Sequence, residues 1–240
     1  MKTTTRIALL STLAALAALG VVPVAPGESA PEPAVQQFPA AGELLQPRLA
    51  VRAAPSRASR VVRVLTQFRP TYHPEVLLAL AEREDLEGYR WYKLSLPGRP
   101  NGGRGWVRAD LVHLRPVANR IVVRRSARRL EVRRIADGKL LLRAPIAVGK
   151  PSAKTPIGRD YYVRSRFVPA NSFLGVFAFE TSAYAPLSDW PGDGVVGIHG
   201  TSAPSSIGRA VSHGCIRLFN RDVAKLRYLA PVGTPIDVVP

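Results

Sequence analysis

Hydrophobic positions along the 240-residue chain change their spacing from one region to the next. Lys2 and Arg6 precede an uncharged apolar run from Ile7 to Val22, which gives way to a Pro/Gly/Ala/Glu stretch. That order predicts an export signal, or an uncleaved N-terminal anchor, over residues 1–30. The run lacks the polar face that a helix buried in a globular protein shows. Residues 31–48 contain proline and little periodicity and read as a Pro-rich linker. From Leu49 the spacing becomes that of short strands: Ala50-Val51-Arg52, Val61-Val62-Arg63-Val64-Leu65, Arg90-Trp91-Tyr92-Lys93-Leu94 and Gly105-Trp106-Val107. Turn signals at Ala54-Pro55-Ser56 and along Pro97–Gly103 separate them, which predicts a small β domain over residues 49–116. Within it, Pro74 to Arg83 has the look of a helix. A unit of that size has a marginal core and is expected to lean on its neighbour.

Residues 119–240 are long enough for a core of their own. Arg120-Ile121-Val122-Val123 and Leu130-Glu131-Val132 alternate like half-buried strands, Ala136-Asp137-Gly138-Lys139 reads as a hairpin turn, and Leu140 to Gly149 continues the sheet. The one strong helix signal follows, with Asn220 as N-cap, Val223, Leu226 and Leu229 on the apolar side, and Pro231 and Gly233 as terminators. The expected fold class is therefore mainly β. No repeat, Walker loop or dinucleotide fingerprint is present.

Charge narrows the choice of partners. The formal net charge is +17, most of it arginine. An exported basic chain meets anionic envelope polymers and carboxylate-bearing peptides rather than nucleic acid, so no nucleic-acid partner is expected. Membrane contact is expected only through the N-terminal segment. The densest cluster, Arg124, Arg125, Arg128, Arg129, Arg133 and Arg134, lies on alternating sequence, where a solvated basic face is the plain interpretation and a polymer site the alternative.

Cys215 is the only cysteine, so the chain has no internal disulfide. It sits in Ser212-His213-Gly214-Cys215-Ile216-Arg217-Leu218, downstream of a second His-Gly pair, His199-Gly200. A thiol is mostly protonated near neutral pH, so a cysteine nucleophile needs a nearby base or cation, and either histidine can supply it. Gly214 permits a tight turn beside Cys215, where backbone amide N–H groups would serve an oxyanion. Arg217, two residues on, shares a strand face with Cys215 if the segment is extended and can hold a carboxylate; Ser212 is grouped with Gly214 and Arg217 on the oxyanion and substrate side. Two alternatives stand beside this: a buried structural thiol, and a zinc site of Cys215, His213 and His199, for which no supporting metal motif exists. Trp91 and Trp106 read as core rather than as a ligand platform, and Glu180 and Asp189 as surface or lid residues.

Ile198-His199-Gly200-Thr201, Ser206-Ile207-Gly208, Ala210 to Leu218 and Asn220-Arg221-Asp222-Val223 together resemble the signature of the L,D-transpeptidase catalytic domain family (YkuD-like), supported by Val148-Gly149-Lys150 and Lys154-Thr155-Pro156-Ile157-Gly158. Leu49 to Pro55, Trp91-Tyr92-Lys93 and Gly105-Trp106-Val107 resemble bacterial Src-homology-3-like barrels. The first resemblance implies a β-sandwich-like catalytic domain over residues 119–240 and a cysteine thioester mechanism acting on peptidoglycan stem peptides as acyl donor and acceptor. It implies Cys215 as nucleophile and His199 as proton donor and acceptor, oriented by the Gly200 carbonyl. His213 would support the site, Gly214 and Cys215 would donate oxyanion amides, and Arg217 would orient substrate. No metal and no cofactor are called for, the family is generally susceptible to carbapenems, and the expected location is exported, in the periplasm or cell wall. An L,D-carboxypeptidase that trims tetrapeptide stems, or a non-catalytic wall-binding protein, are the alternatives.

Overall fold

Alternation of the Leu49/Val51 kind produces strands almost throughout. The structure, a computed structural model, describes residues 37–70, 72–186 and 193–240; the expected signal segment 1–30 and Asp189 lie outside them. Among the described residues no helix is long and apolar enough to cross a membrane. The N-terminal strands are β1 (Ala40–Leu44), β2 (Arg48–Arg52), β3 (Val61–Thr66), β4 (Val76–Glu84), β5 (Arg90–Ser95), β6 (Arg104–Arg108) and β7 (Val112–Pro116). They form one antiparallel sheet in the order β3-β2-β6-β5-β4-β1-β7. Its core holds Leu49, Val51, Leu77, Leu94 and Val107, all at most 1 % exposed. Trp91 and Trp106 are buried, and the Trp91 Nε1–H donates to Asp85 at 2.7 Å.

Two segments differ from the pattern-based expectation. Val76–Glu84, expected as helix from Pro74 to Arg83, is a strand. Leu77 and Ala79 face the core of the N-terminal sheet, whereas Leu78 turns the other way and packs with Ala41 and Tyr162. A strand buried on both faces loses its alternation and becomes a continuous apolar run, which periodicity cannot tell from helix. Ala40–Leu44, within the expected linker 31–48, is β1, which pairs with both β4 and β7.

The second unit contains β8 (Asn119–Arg124), β9 (Arg129–Arg134), β10 (Leu140–Pro145), β11 (Val148–Gly149), β12 (Gly158–Phe167), β13 (Ala178–Tyr184), β14 (Val195–His199), β15 (Ala210–Ser212), β16 (Ile216–Arg217), α1 (Asn220–Leu229) and β17 (Pro235–Val239). The main sheet runs β10-β9-β8-β17-β12-β13-β14-β16, and β11 pairs with β15. Ile121, Val123, Leu130 and Val132 point into its core with no exposure. The other face of β9 carries Glu131, 1 % exposed, with guanidinium groups of Arg129 and Arg133 at 3.0 and 2.8 Å and those of Arg124 and Arg143 just beyond. Burial opposes ionisation of Glu131, yet the arginines outweigh it and hold the carboxyl below its usual range. Much of the expected basic face is thus a shell around one acid.

The two sheets are joined by buried charge. Arg164 on β12 reaches Glu75 at 2.6 Å, and Arg69 reaches Glu180 at 2.7 Å. Glu180, expected as a surface or lid residue, is therefore a structural anion on β13; Arg69 and Ser165 donate to its two oxygens.

Candidate active site

Strand β14 ends at His199, and β16 runs parallel beside it with Ile198 opposite Ile216 and His199 opposite Arg217. This pairing draws the Ser212–Cys215 turn against β14. Cys215 Sγ accepts the Gly197 N–H at 3.4 Å, and a Cβ on Gly197 would stand 3.6 Å from both Sγ and the Cδ2 of His199. Thiol and imidazole are thus both neighbours of Gly197.

His199 is 3 % exposed, and its Nδ1 lies 2.6 Å from the Gly200 carbonyl oxygen. A carbonyl only accepts, so Nδ1 carries the hydrogen and Nε2 keeps a lone pair. Burial pushes the imidazole down to about 4, with the Arg217 charge acting in the same direction against the Gly200 carbonyl. Burial also pushes the Cys215 thiol up, against the Gly197 N–H and Arg217. Burial therefore favours the neutral form of both thiol and imidazole, and a sulfur of that kind needs a base at the moment it attacks. Removing two opposite charges from water without a close, well-bonded contact disfavours the ion pair.

The cysteine turn is braced from within. Ser212, placed by sequence on the oxyanion and substrate side, is fully buried; its hydroxyl donates to the Cys215 carbonyl at 2.6 Å and accepts the Gly214 N–H at 3.2 Å. The Gly214 amide is accordingly directed at Ser212. Gly214 has φ +118°, and a Cβ there would come within 2.6 Å of the Ala185 Cβ, so glycine is required on two counts. His213 is half-buried, with Nε2 3.1 Å from Lys150 Nζ. The ammonium donates, which makes Nε2 the acceptor.

Several residues that carry the site were not singled out as functional by sequence. The hydroxyl of Thr155, fully buried, accepts the Gly149 N–H at 3.0 Å and donates to the Gly214 carbonyl at 2.8 Å. Thr155→Val is expected to leave both backbone groups unpaired and to cost about 2–4 kcal/mol, while Thr155→Ser retains most of that stability; denaturant unfolding of the two variants measures the difference. Asn220, expected as the helix cap, instead accepts the N–H groups of Thr201 at 3.1 Å and Val176 at 3.4 Å, and Phe219 occupies the cap position. It ties the turn after His199 to the segment that follows Ser172–Leu174. In that short turn the Phe173 ring stacks on His199, with centroids 6.5 Å apart, and the Arg217 guanidinium lies 5.6 Å from the same ring. The Arg217 Nε is buried without a hydrogen-bond acceptor.

The N-terminal sheet also reaches the site. Asn101 exchanges two hydrogen bonds with the Tyr184 backbone, at 2.7 and 2.9 Å, and Arg99 donates to the Ala185 carbonyl at 2.9 Å. Ala185 is the residue packed on Gly214.

A family model of the L,D-transpeptidase catalytic domain matches residues 118–238. The candidate L,D-transpeptidase YkuD of Bacillus licheniformis is 40% identical over 102 residues, covering 42% of this chain and 55% of its own length. L,D-transpeptidase 1 of Mycobacterium tuberculosis is 37% identical over 117 residues, covering 43% and 44%. The chain spans about half the length of these curated relatives. A solved L,D-transpeptidase of Mycobacterium smegmatis aligns at 20% identity over 69% of this chain and 90% of its own, with a TM-score of 0.43.

Proposed function

The chain belongs to the L,D-transpeptidase catalytic domain family, and from that premise we propose that it transfers peptidoglycan stem-peptide acyl groups to an amine through a Cys215 thioester. The observation that carries the proposal is that Cys215 and His199 both lie beside Gly197, with the imidazole held by the Gly200 carbonyl.

His199 Nε2 takes the Cys215 proton as Sγ attacks the carbonyl of the third stem residue. The tetrahedral oxyanion collapses, the C–N bond breaks, and the departing D-alanine amine takes that proton from the imidazolium. An amine acceptor then attacks the thioester and gives up a proton to His199; the C–S bond breaks and the thiolate is reprotonated. The Cys215 N–H is assigned to the oxyanion, since the Gly214 N–H is directed at Ser212. Arg217, with its orphaned Nε, is assigned to a substrate carboxylate. Residues 1–30 are assigned to export toward the periplasm or cell wall, and residues 49–116 to an Src-homology-3-like module.

Mass spectrometry of a stem tetrapeptide incubated with the protein and excess amine acceptor tests the reaction. D-alanine loss with amide product is expected. Tripeptide alone would make the chain an L,D-carboxypeptidase, and an unchanged tetrapeptide with unmodified Cys215 would overturn the enzymatic assignment.

The neutral resting pair sets the pH dependence. His199 must be unprotonated to accept a proton, so acylation by a carbapenem is expected to rise with pH across a midpoint of about 4 and to hold level through neutrality. Alkylation of Cys215 by iodoacetamide is expected to climb only above the ordinary thiol range, because burial disfavours its thiolate. A thiolate titrating below neutrality would contradict the neutral-pair mechanism.

A further inference from the structure

We infer that the outer face of β2 carries a binding site for a phosphate group, independent of the Cys215 chemistry. Strand alternation builds it. Leu49 and Val51 point into the core, so Arg48, Ala50 and Arg52 share the opposite face. Ala50, small between two long cations, leaves an opening there. Arg57, from the turn after β2, and Arg108, at the end of β6, close the sides of a concavity of about 370 Å³, and Trp91 forms part of its lining.

Three of the four arginines are held in position, and mostly by groups that leave their charge in place. Arg52 Nη1 donates to the Ser59 carbonyl at 2.6 Å. The guanidinium carbons of Arg57 and Arg108 each lie 4.3 Å from the centroid of the Tyr89 ring, so they stand no farther apart than twice that distance. Only Arg108 is forked onto a carboxylate, that of Asp110, at 2.9 and 2.7 Å. Among the described residues no Asp or Glu lines the concavity itself. Two cations on one aromatic ring repel each other; the Asp85 carboxylate, which acts on both, offsets part of that repulsion, and a bound anion adds to the relief.

The arrangement selects among anions. A planar carboxylate is satisfied by one or two guanidinium forks lying in its plane, whereas a tetrahedral phosphate offers oxygens in several directions and accepts from arginines on facing walls. Phosphomonoesters and phosphodiesters share that chemistry, and the ligand's source is either a soluble phosphate-bearing polymer or a lipid headgroup.

Calorimetric titration of the full chain with inorganic pyrophosphate tests the site. Saturable binding is expected, weakened by added salt. Arg48→Gln and Arg57→Gln, both at exposed positions, are expected to weaken it at least about fivefold each, the loss of one charge-assisted partner at a solvated site. Arg143→Gln removes the same charge from the other sheet and is expected to leave affinity within about twofold. No saturable binding, equal loss in Arg143→Gln, or citrate binding as tightly as pyrophosphate would each overturn the assignment. Competition of pyrophosphate by a glycerol phosphate oligomer, or by vesicles containing phosphatidylglycerol, distinguishes the two sources; displacement by neither would exclude a macromolecular phosphate. Carbapenem labelling of Cys215 in Arg57→Gln is expected to match the parent, which separates failure of this site from failure of the transpeptidase assignment.

Discussion

Replacing His199 by alanine is expected to slow acylation of Cys215 by a factor of about 10² to 10⁴, the usual cost of losing a general base. His213→Ala is expected to keep a measurable fraction of the parent rate. The contrast follows from where the two rings stand. His199 is buried beside Gly197, which also contacts Cys215 Sγ, and its Nδ1–H is committed to Gly200, so its Nε2 is available for the thiol proton. The His213 Nε2 instead faces the Lys150 ammonium. Because the thiol is raised and the imidazole lowered by burial, sulfur cannot rely on a standing negative charge, and removal of the base is felt in full. The measurement is the rate of carbapenem adduct formation by intact mass, with circular dichroism to establish that both variants fold. Equal losses in two folded variants would reassign the base.

The second large effect is on stability. Arg164→Met is expected to destabilise the fold by about 3–5 kcal/mol, since it strands the Glu75 carboxylate in a site where both side chains are at most 10 % exposed. For a domain of this size that amounts to a fall in Tm of roughly 6–20 °C. Pairing it with Glu75→Gln is expected to recover much of the loss, because residue 75 is then neutral and the other nearby anion, Glu180, keeps Arg69 and Ser165. By contrast, Arg90→Ala removes the partner of Glu82 at 3.8 Å from an arginine that is 53 % exposed, and is expected to change stability by less than about 1 kcal/mol. Thermal unfolding of the three variants and the parent gives the comparison. An Arg164→Met loss no greater than that of Arg90→Ala would show that the two sheets do not depend on this pair.

That dependence reaches the Cys215 turn as well. The N-terminal sheet contributes Asn101 and Arg99 to the Tyr184–Ala185 backbone, and Ala185 packs on Gly214. A shift of one sheet against the other would therefore be transmitted to the turn that holds Cys215.

How much of this could be read from the chain alone varies with the kind of interaction. The alternation at Ile121/Val123 and Leu130/Val132 specifies strands with one buried face, because a period of two needs only local order. The Ser212–Arg217 segment and the His199-Gly200 pair disclose the chemistry, since a lone cysteine, two imidazoles and a required glycine are properties of residue type and short spacing. The family resemblance from Asn119 onward rests on the same local signal. β4 was hidden because Leu77, Leu78 and Ala79 are all buried, and burial of both strand faces erases the period that marks a strand.

Other features depended on partners far away in sequence. Thr155 bridges Gly149 and Gly214, and Asn220 leaves the helix cap to bind Thr201 and Val176; neither partnership follows from a residue's own neighbours. The chain alone set which residue types could carry such chemistry: one thiol, two imidazoles in His-Gly pairs and the arginine two positions beyond the thiol. Tertiary packing decided how burial shifts the Cys215 thiol and the His199 imidazole, and which groups support them. Desolvation is summed over every group packed around a site, and most of those groups arrive from distant strands.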